Sequence, residues 1–231
     1  METKMNPRPV DFKFSNYISQ GFDLLKANFM PIFLATLCTI LMSIIPFCGV
    51  VAVSNLLKFI RKIDKGQQAE PSEVFNFGDF MKYFVPQLLI FAGVIALYIP
   101  YFVLLALTGM LRGEQPSGFV GLIMGLYVLF IVVVIFYFTL KGFYIIALMS
   151  LKNIADLKQA WNISKVMSTG NLIMIFLFSI VVSFLGEIGI ILCGIGVFFT
   201  IPFIYCAHYF AYKDGLSQVE YDDITEIGQN Y

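Results

Sequence analysis

Charge is what this chain has least of. Only 13% of its 231 residues are Asp, Glu, Lys or Arg, where a soluble domain carries about 25%. The 15 basic and 15 acidic residues cancel, so no strong overall field steers a polyanion, and no nucleic-acid partner is expected. There is one histidine, His208, which excludes a His-rich metal site. Cys38, Cys48, Cys193 and Cys206 all lie inside apolar runs and form no C-x-x-C pair, so they read as small buried hydrophobes. Acidic residues and His do not cluster on any face. No catalytic constellation, metal or cofactor is therefore expected, and the chain does not read as an enzyme. No secretory leader is evident either: the first apolar run starts near Phe29, and no small-residue cleavage site follows it. The first span is expected to stay in the mature protein.

What is present is apolar. Hydrophobic residues make up 59%, with 25 Phe and 12 Tyr, and the mean hydropathy is +0.83. This is the composition of a polytopic membrane protein. Residues 27–57, 83–111, 115–140, 166–186 and 188–212 carry no Asp, Glu, Lys or Arg. A helix needs about 20 apolar residues to cross about 30 Å of hydrocarbon. Four of these runs each supply one span. They are separated by the polar turn Arg112-Gly113-Glu114-Gln115-Pro116-Ser117-Gly118 and by Gly186-Glu187-Ile188-Gly189, where Glu187 reads as a solvated loop carboxylate.

The first run is ambiguous. As one helix, residues 29–60 would be about 48 Å long; as a hairpin broken at Pro46 and Gly49, each arm would be about 22 Å. Charge decides. A hairpin puts Lys4, Arg8, Lys13, Lys26, Lys58, Arg61, Lys62, Lys65, Lys82, Lys152, Lys158, Lys165 and Lys213 on one side. That is thirteen of the 15 basic residues, with only Arg112 opposite. Cytoplasmic loops are rich in Lys and Arg, so six spans are expected, with both termini cytoplasmic, in a cell membrane.

Each expected hairpin follows a mixed-polarity segment. In residues 14–28, Phe14, Ile18, Phe22, Leu25 and Phe29 recur at helical spacing. In residues 72–84, Ser72 reads as N-cap, and Val74, Phe77, Met81 and Phe84 form the stripe. In residues 155–170, Leu157, Trp161 and Ser164 share a face. Such helices lie in the interface. The fold expected is an all-α membrane bundle: six spans as three hairpins, each preceded by an amphipathic interfacial helix, in one domain over residues 1–213. Residues 214–231, with Asp214, Glu220, Asp222, Asp223 and Glu226, read as an acidic, disordered cytoplasmic tail.

The entries also resemble one another. Asn28-Phe29-Met30-Pro31-Ile32-Phe33-Leu34 matches Asn171-Leu172-Ile173-Met174-Ile175-Phe176-Leu177 at four of seven positions. Gly21 to Lys26 resembles Ala160 to Lys165. Lys82-Tyr83-Phe84-Val85-Pro86 is a weaker echo. Three parallel pseudo-repeats are expected, at about 14–60, 72–140 and 155–212, related by an axis along the membrane normal.

Asp156-x-x-x-Ala160-Trp161-x-x-Ser164-x-x-Met167-x-x-Gly170-Asn171 resembles a pattern of bacterial six-span inner-membrane proteins of unknown function. It also resembles the membrane domain joined to some glycerophosphodiester phosphodiesterases. Cys193-Gly194-Ile195-Gly196-Val197-Phe198-Phe199-Thr200-Ile201-Pro202 is similar to their last-span signature, and Lys141-Gly142-Phe143-Tyr144 to their basic-aromatic motif. The resemblance covers most of residues 14–213. It implies a membrane module; no phosphodiesterase domain is expected after Tyr231, so that activity is not carried over.

Candidate sites follow. Lys141 lies in an apolar stretch, residues 119–151. If the helix is unbroken, Lys141 sits near mid-membrane and faces a cavity or a lipid phosphate. If it breaks at Gly142, Lys141 sits at the interface. Lys26, Trp161 and Lys165 are further candidate lipid or anion contacts. Asn28, Asn171, Gly194, Gly196 and Pro202 are expected to be structural, as kinks and close-packing positions. Ser43, Asn55 and Ser183 read as interhelical hydrogen-bond donors. The leading functional expectation is a non-enzymatic membrane protein that touches lipids and organises a membrane partner. The alternatives are a small transporter with a cavity between repeats and a lipid-modifying membrane enzyme. Substrate and oligomeric state are not legible.

Overall fold

The computed structural model describes residues 5–109, 113, 117–191 and 196–220. Its α-helices, in chain order, are α1 (Phe14–Ala27), α2 (Phe29–Ser43), α3 (Gly49–Asp64), α4 (Phe80–Leu107), α5 (Gly118–Lys141), α6 (Ile145–Leu151), α7 (Leu157–Met167), α8 (Leu172–Glu187) and α9 (Val197–Val219). Short 3-10 helices occupy Pro71–Phe75 and Ile188–Ile191. Among the described residues there is no strand, only an isolated bridge between Met5 and Glu220. The protein is all-α. It forms two compact units, one of Met1–Phe80 with Leu140–Tyr231 and one of Met81–Thr139.

The first unit holds the core. The long apolar run does break: α2 ends at Ser43 and α3 begins at Gly49, and the two pack together. One continuous helix is thereby excluded. Helix α3 is amphipathic and central, burying Val51, Ala52, Leu56, Leu57, Phe59 and Ile60. Helix α1 lies on α9, and Gly21 is why it can. A Cβ there would stand 2.8 Å from the Ala207 backbone, so only glycine permits this approach. The face of α1 that packs is Tyr17, Gly21 and Leu25, at i, i+4 and i+8. Phe14, Ile18 and Phe22 of the expected stripe stay outside this contact; with Leu25 at their edge they line a shallow groove, closed on its far side by Leu185, Ile188, Thr200 and Phe203. Two stripes exist on α1, and hydrophobicity alone does not say which meets protein.

The second entry segment is also different from expectation. No one helix covers residues 72–84: Pro71–Phe75 is a 3-10 turn, and residues 80–84 are already the start of α4. Glu70, not Ser72, is the N-cap of the 3-10 turn, in a reciprocal capping box with Glu73. The reason lies in α3. The Asn55 side-chain amide donates to Val74 O at 2.9 Å and Asn76 O at 2.7 Å, carbonyls that a continuing helix would need. Gly78 N–H then donates to Asn76 Oδ1, an Asx turn that separates the 3-10 turn from α4. Asn55 is thus a clasp between a helix and a loop. Replacing it by leucine leaves two inward carbonyls unmet, at a cost on the order of 1–3 kcal/mol. Hydrogen exchange should then rise at residues 70–79 while α9 stays protected; unchanged exchange there would refute the clasp. Ser43, expected to bond between helices, donates to Thr39 O in its own helix.

Charged side chains pair around the C-terminal ends of α3, α6 and α9. Lys58 meets Asp79 at 2.5 Å, Lys62 meets Glu73 at 2.7 Å, Lys213 meets Asp64 at 2.6 Å and Lys152 meets Glu220 at 2.5 Å. The Lys62 ammonium holds the Glu73 carboxyl below its usual range. Each such exposed pair contributes little alone; together they define one polar end. The N-terminal segment joins it. Asn6 N–H donates to Val219 O, Arg8 Nε to Gln218 O, and Tyr17 hydroxyl to Asp214 at 2.6 Å. Both ends of the described chain therefore meet. Helix α9 runs to Val219, so Asp214 and the residues up to 219 are folded helix, not tail. The rest of the expected tail, from residue 221, lies outside the described residues.

The second unit is nearly all α4 and α5. Their side chains are exposed and apolar along their lengths, with Leu89, Phe102, Leu122 and Val133 among the most exposed. At 28 and 24 residues they measure about 42 and 36 Å, enough to cross hydrocarbon. Tyr127 hydroxyl donates to Leu97 O at 2.8 Å, in the turn before Pro100, which α4 carries within its length.

Two helical segments, Phe80–Leu107 and Gly118–Leu151, are long and apolar enough to cross a membrane. Two bent pairs also qualify if each counts as one span: α1 with α2, bent by 102°, and α7 with α8, bent by 100°. The count by length and composition is therefore two to four, against the six expected.

Candidate membrane-interface site

Helix α5 stops at Lys141, and residues 142–144 form a turn before α6 begins at Ile145. An unbroken helix to residue 151 is not formed. The break needs partners for the backbone groups it frees, and α7 supplies them. Ser164 hydroxyl donates to Lys141 O at 2.7 Å and accepts from Tyr144 N–H at 3.1 Å. Ser168 hydroxyl reaches the same carbonyl at 3.4 Å. Ser164, Ser168 and Tyr144 are fully buried, where an unmet backbone group is costly. One serine thus holds the corner between α5 and α6.

The Lys141 side chain is 9% exposed. Its ammonium donates to Thr169 Oγ1 at 3.1 Å. Among the described residues it forms no ion pair. Thr169 in turn donates to Lys165 O at the C-terminal turn of α7. Lys141 and α7 are thereby brought together, which periodicity did not foretell.

The other candidates are spread out. Lys165 and Lys26 are exposed, in the last turns of α7 and α1. Each immediately precedes a sharp bend. Trp161 is half-buried on α7. Asn28 is the N-cap residue of α2 and Asn171 that of α8, so both sit at the bends. Each carbonyl accepts the first hydrogen bond of the next helix, from Ile32 and Ile175. Their amides differ: Asn28 donates to Leu24 O, Asn171 to Val10 O in the N-terminal segment. Gly196 is the N-cap residue of α9, its carbonyl accepting from Thr200 N–H. Pro202 is buried inside α9. Gly194 and Cys193 lie outside the described residues.

The sequence motif from Asp156 to Asn171 is now legible as construction. Asp156 caps α7 through Lys158 N–H at 2.9 Å. Ala160 and Met167 are buried against the core, Ser164 holds the corner, Gly170 turns at φ +84°, and Asn171 ties α8 to the N-terminal segment. Sequence reading singled out these positions but not Ser168 or Thr169. Their signal was available in retrospect as hydroxyls at i+4 and i+5 from Ser164.

These features define an all-α protein with helices suited to a membrane and a polar end where Lys58, Lys62, Lys152 and Lys213 pair with carboxylates. The chain belongs to the family described as Protein of unknown function (DUF4013), which matches residues 37–198. No curated protein and no solved structure matches it.

Proposed function

We propose that this chain is a non-enzymatic protein of a cell membrane that binds anionic lipid headgroups and organises its membrane surroundings through its interfacial helices. Six membrane-embedded arms are arranged as three hairpins, entered from the cytoplasmic side, where both termini lie. The hairpins are parallel repeats, with the bend at Asn28 equivalent to the bend at Asn171; the near-equal angles of 102° and 100° support this. The resemblance to membrane domains attached to phosphodiesterases fits a module that serves a membrane setting.

The observation that carries the reading is Lys141. It is a buried cation beside a bend, bonded to a neutral hydroxyl, with Lys165 on the adjacent helix turn. A lipid phosphate would supply the missing anion, as a charge-assisted acceptor. Lys141→Met should keep the protein folded and inserted but reduce retained anionic lipid several-fold in native mass spectrometry. Lys152→Met, which loses a partner it already has in Glu220, should do much less. Equal lipid retention by both variants would end this reading.

A further inference from the structure

The first hairpin is too short to cross. From Asn28 to Ser43, α2 climbs about 22 Å, and from Lys58 back to Gly49, α3 climbs about 14 Å. Hydrocarbon is about 30 Å thick. The lower end of α3 is fixed on the water side. Lys58 pairs with Asp79, both partly exposed, and Asn55 is bonded to the loop that carries Glu70 and Glu73. Only about 9 Å of α3 lies beyond Asn55.

The apex is the opposite of an aqueous loop. Residues 44–48 read Ile-Ile-Pro-Phe-Cys, and no charged residue occurs between positions 27 and 57. Ile44 is 75% exposed, Ile45 48% and Phe47 38%. Below them, Met30, Leu34 and Leu41 continue an apolar outer face on α2. Part of the apex backbone is bonded within the turn itself. Ile44 N–H donates to Leu41 O, Ile45 N–H to Met42 O and Cys48 N–H to Ile45 O, while Pro46 has no N–H to satisfy. A turn that is exposed, apolar and locally hydrogen-bonded is suited to acyl chains, where unmet backbone groups are excluded.

We infer that α2 and α3 form a re-entrant wedge. It enters one leaflet, ends among the acyl chains near the bilayer midplane, and returns to the side it came from. The occupant of its outer face is lipid hydrocarbon. The segment of α4 and α5 differs in length and in charge: its helices are about 36–42 Å long, and the sequence between them carries Arg112, Glu114 and Ser117.

The inference rests on the membrane placement proposed above, and its test separates the two. Trp161→Phe removes the single tryptophan, and Ile44→Trp or Ser117→Trp then reports each apex. The full chain is reconstituted in phosphatidylcholine–phosphatidylglycerol vesicles with iodide on both sides, or with lipids brominated at set acyl depths. The Ile44→Trp signal should be quenched most by bromines deep in the chains and several-fold less by iodide than that of Ser117→Trp. Ile45→Trp should behave as Ile44→Trp does, which guards against a local packing defect. Equal iodide quenching at the two apices would overturn the wedge. Shielding of Ile44→Trp from both iodide and bromolipid would overturn it too, showing a protein occupant. Alkaline carbonate extraction of the unsubstituted protein from membranes would instead defeat the membrane placement itself.

Discussion

Ser164→Ala is expected to be the most damaging single-atom change in the chain. It removes one hydroxyl and leaves two buried backbone groups, Lys141 C=O and Tyr144 N–H, without their principal partner. Each unmet buried group costs about 1–3 kcal/mol, so the loss should reach about 2–4 kcal/mol. Ser168 retains a weak hold on the carbonyl at 3.4 Å but does not reach the amide. Trp161 lies one turn away on the same helix and reports the unfolding directly by fluorescence in detergent. Ser179→Ala is the control. That hydroxyl donates only to Ile175 O in its own helix, a bond whose loss should stay within about 0.5 kcal/mol. Equal stability of the two variants would show that the corner is held by something else.

Gly21→Ala should be nearly as costly, for a different reason. The added methyl would meet the Cα and N of Ala207 at 2.8 Å, and neither is a flexible side chain that can swing away. Helix α1 must lift from α9, disturbing Tyr17 and Leu25, which are buried in the same contact. Overpacking of this kind costs about 1–3 kcal/mol. Limited proteolysis should also cut α1 faster. Gly93→Ala in α4, where nothing lies within 4 Å, should be neutral or stabilising by up to about 1 kcal/mol. A Gly21→Ala protein that melts with the parent would mean that α1 does not dock as described.

The contrast between Gly21 and Gly93 shows where sequence reading reaches its limit. Gly21 lies in a mixed-polarity helix and Gly93 in an apolar one, yet neither local sequence says that only Gly21 meets another backbone. The same holds for α1, where two apolar stripes compete and only the position of α9 selects one. Asn55 illustrates the point in a polar residue. It was recognised as a donor, but its acceptors lie about twenty residues away in a loop that was expected to be helix. The 3-10 turn at Pro71–Phe75 follows from that distant bond and not from its own propensity. Lys141 was singled out as an unusual cation in an apolar stretch. Whether its helix breaks beside it depended on Ser164, twenty-three residues later, and on whether that hydroxyl could satisfy a broken helix.

Composition and charge by themselves determined that this is an all-α chain with membrane-suited helices, because burying so many apolar residues with so few charges leaves helices in hydrocarbon as the outlet. They also located the break between α2 and α3, since it follows from a one-dimensional pattern. The tertiary structure decided how far each helix extends, which face packs, which hydroxyl closes a corner, and which apolar segments are long enough to span. Those outcomes rest on hydrogen bonds and close approaches between residues far apart in sequence. Their energies depend on the partner's position, and a hydropathy pattern does not encode it.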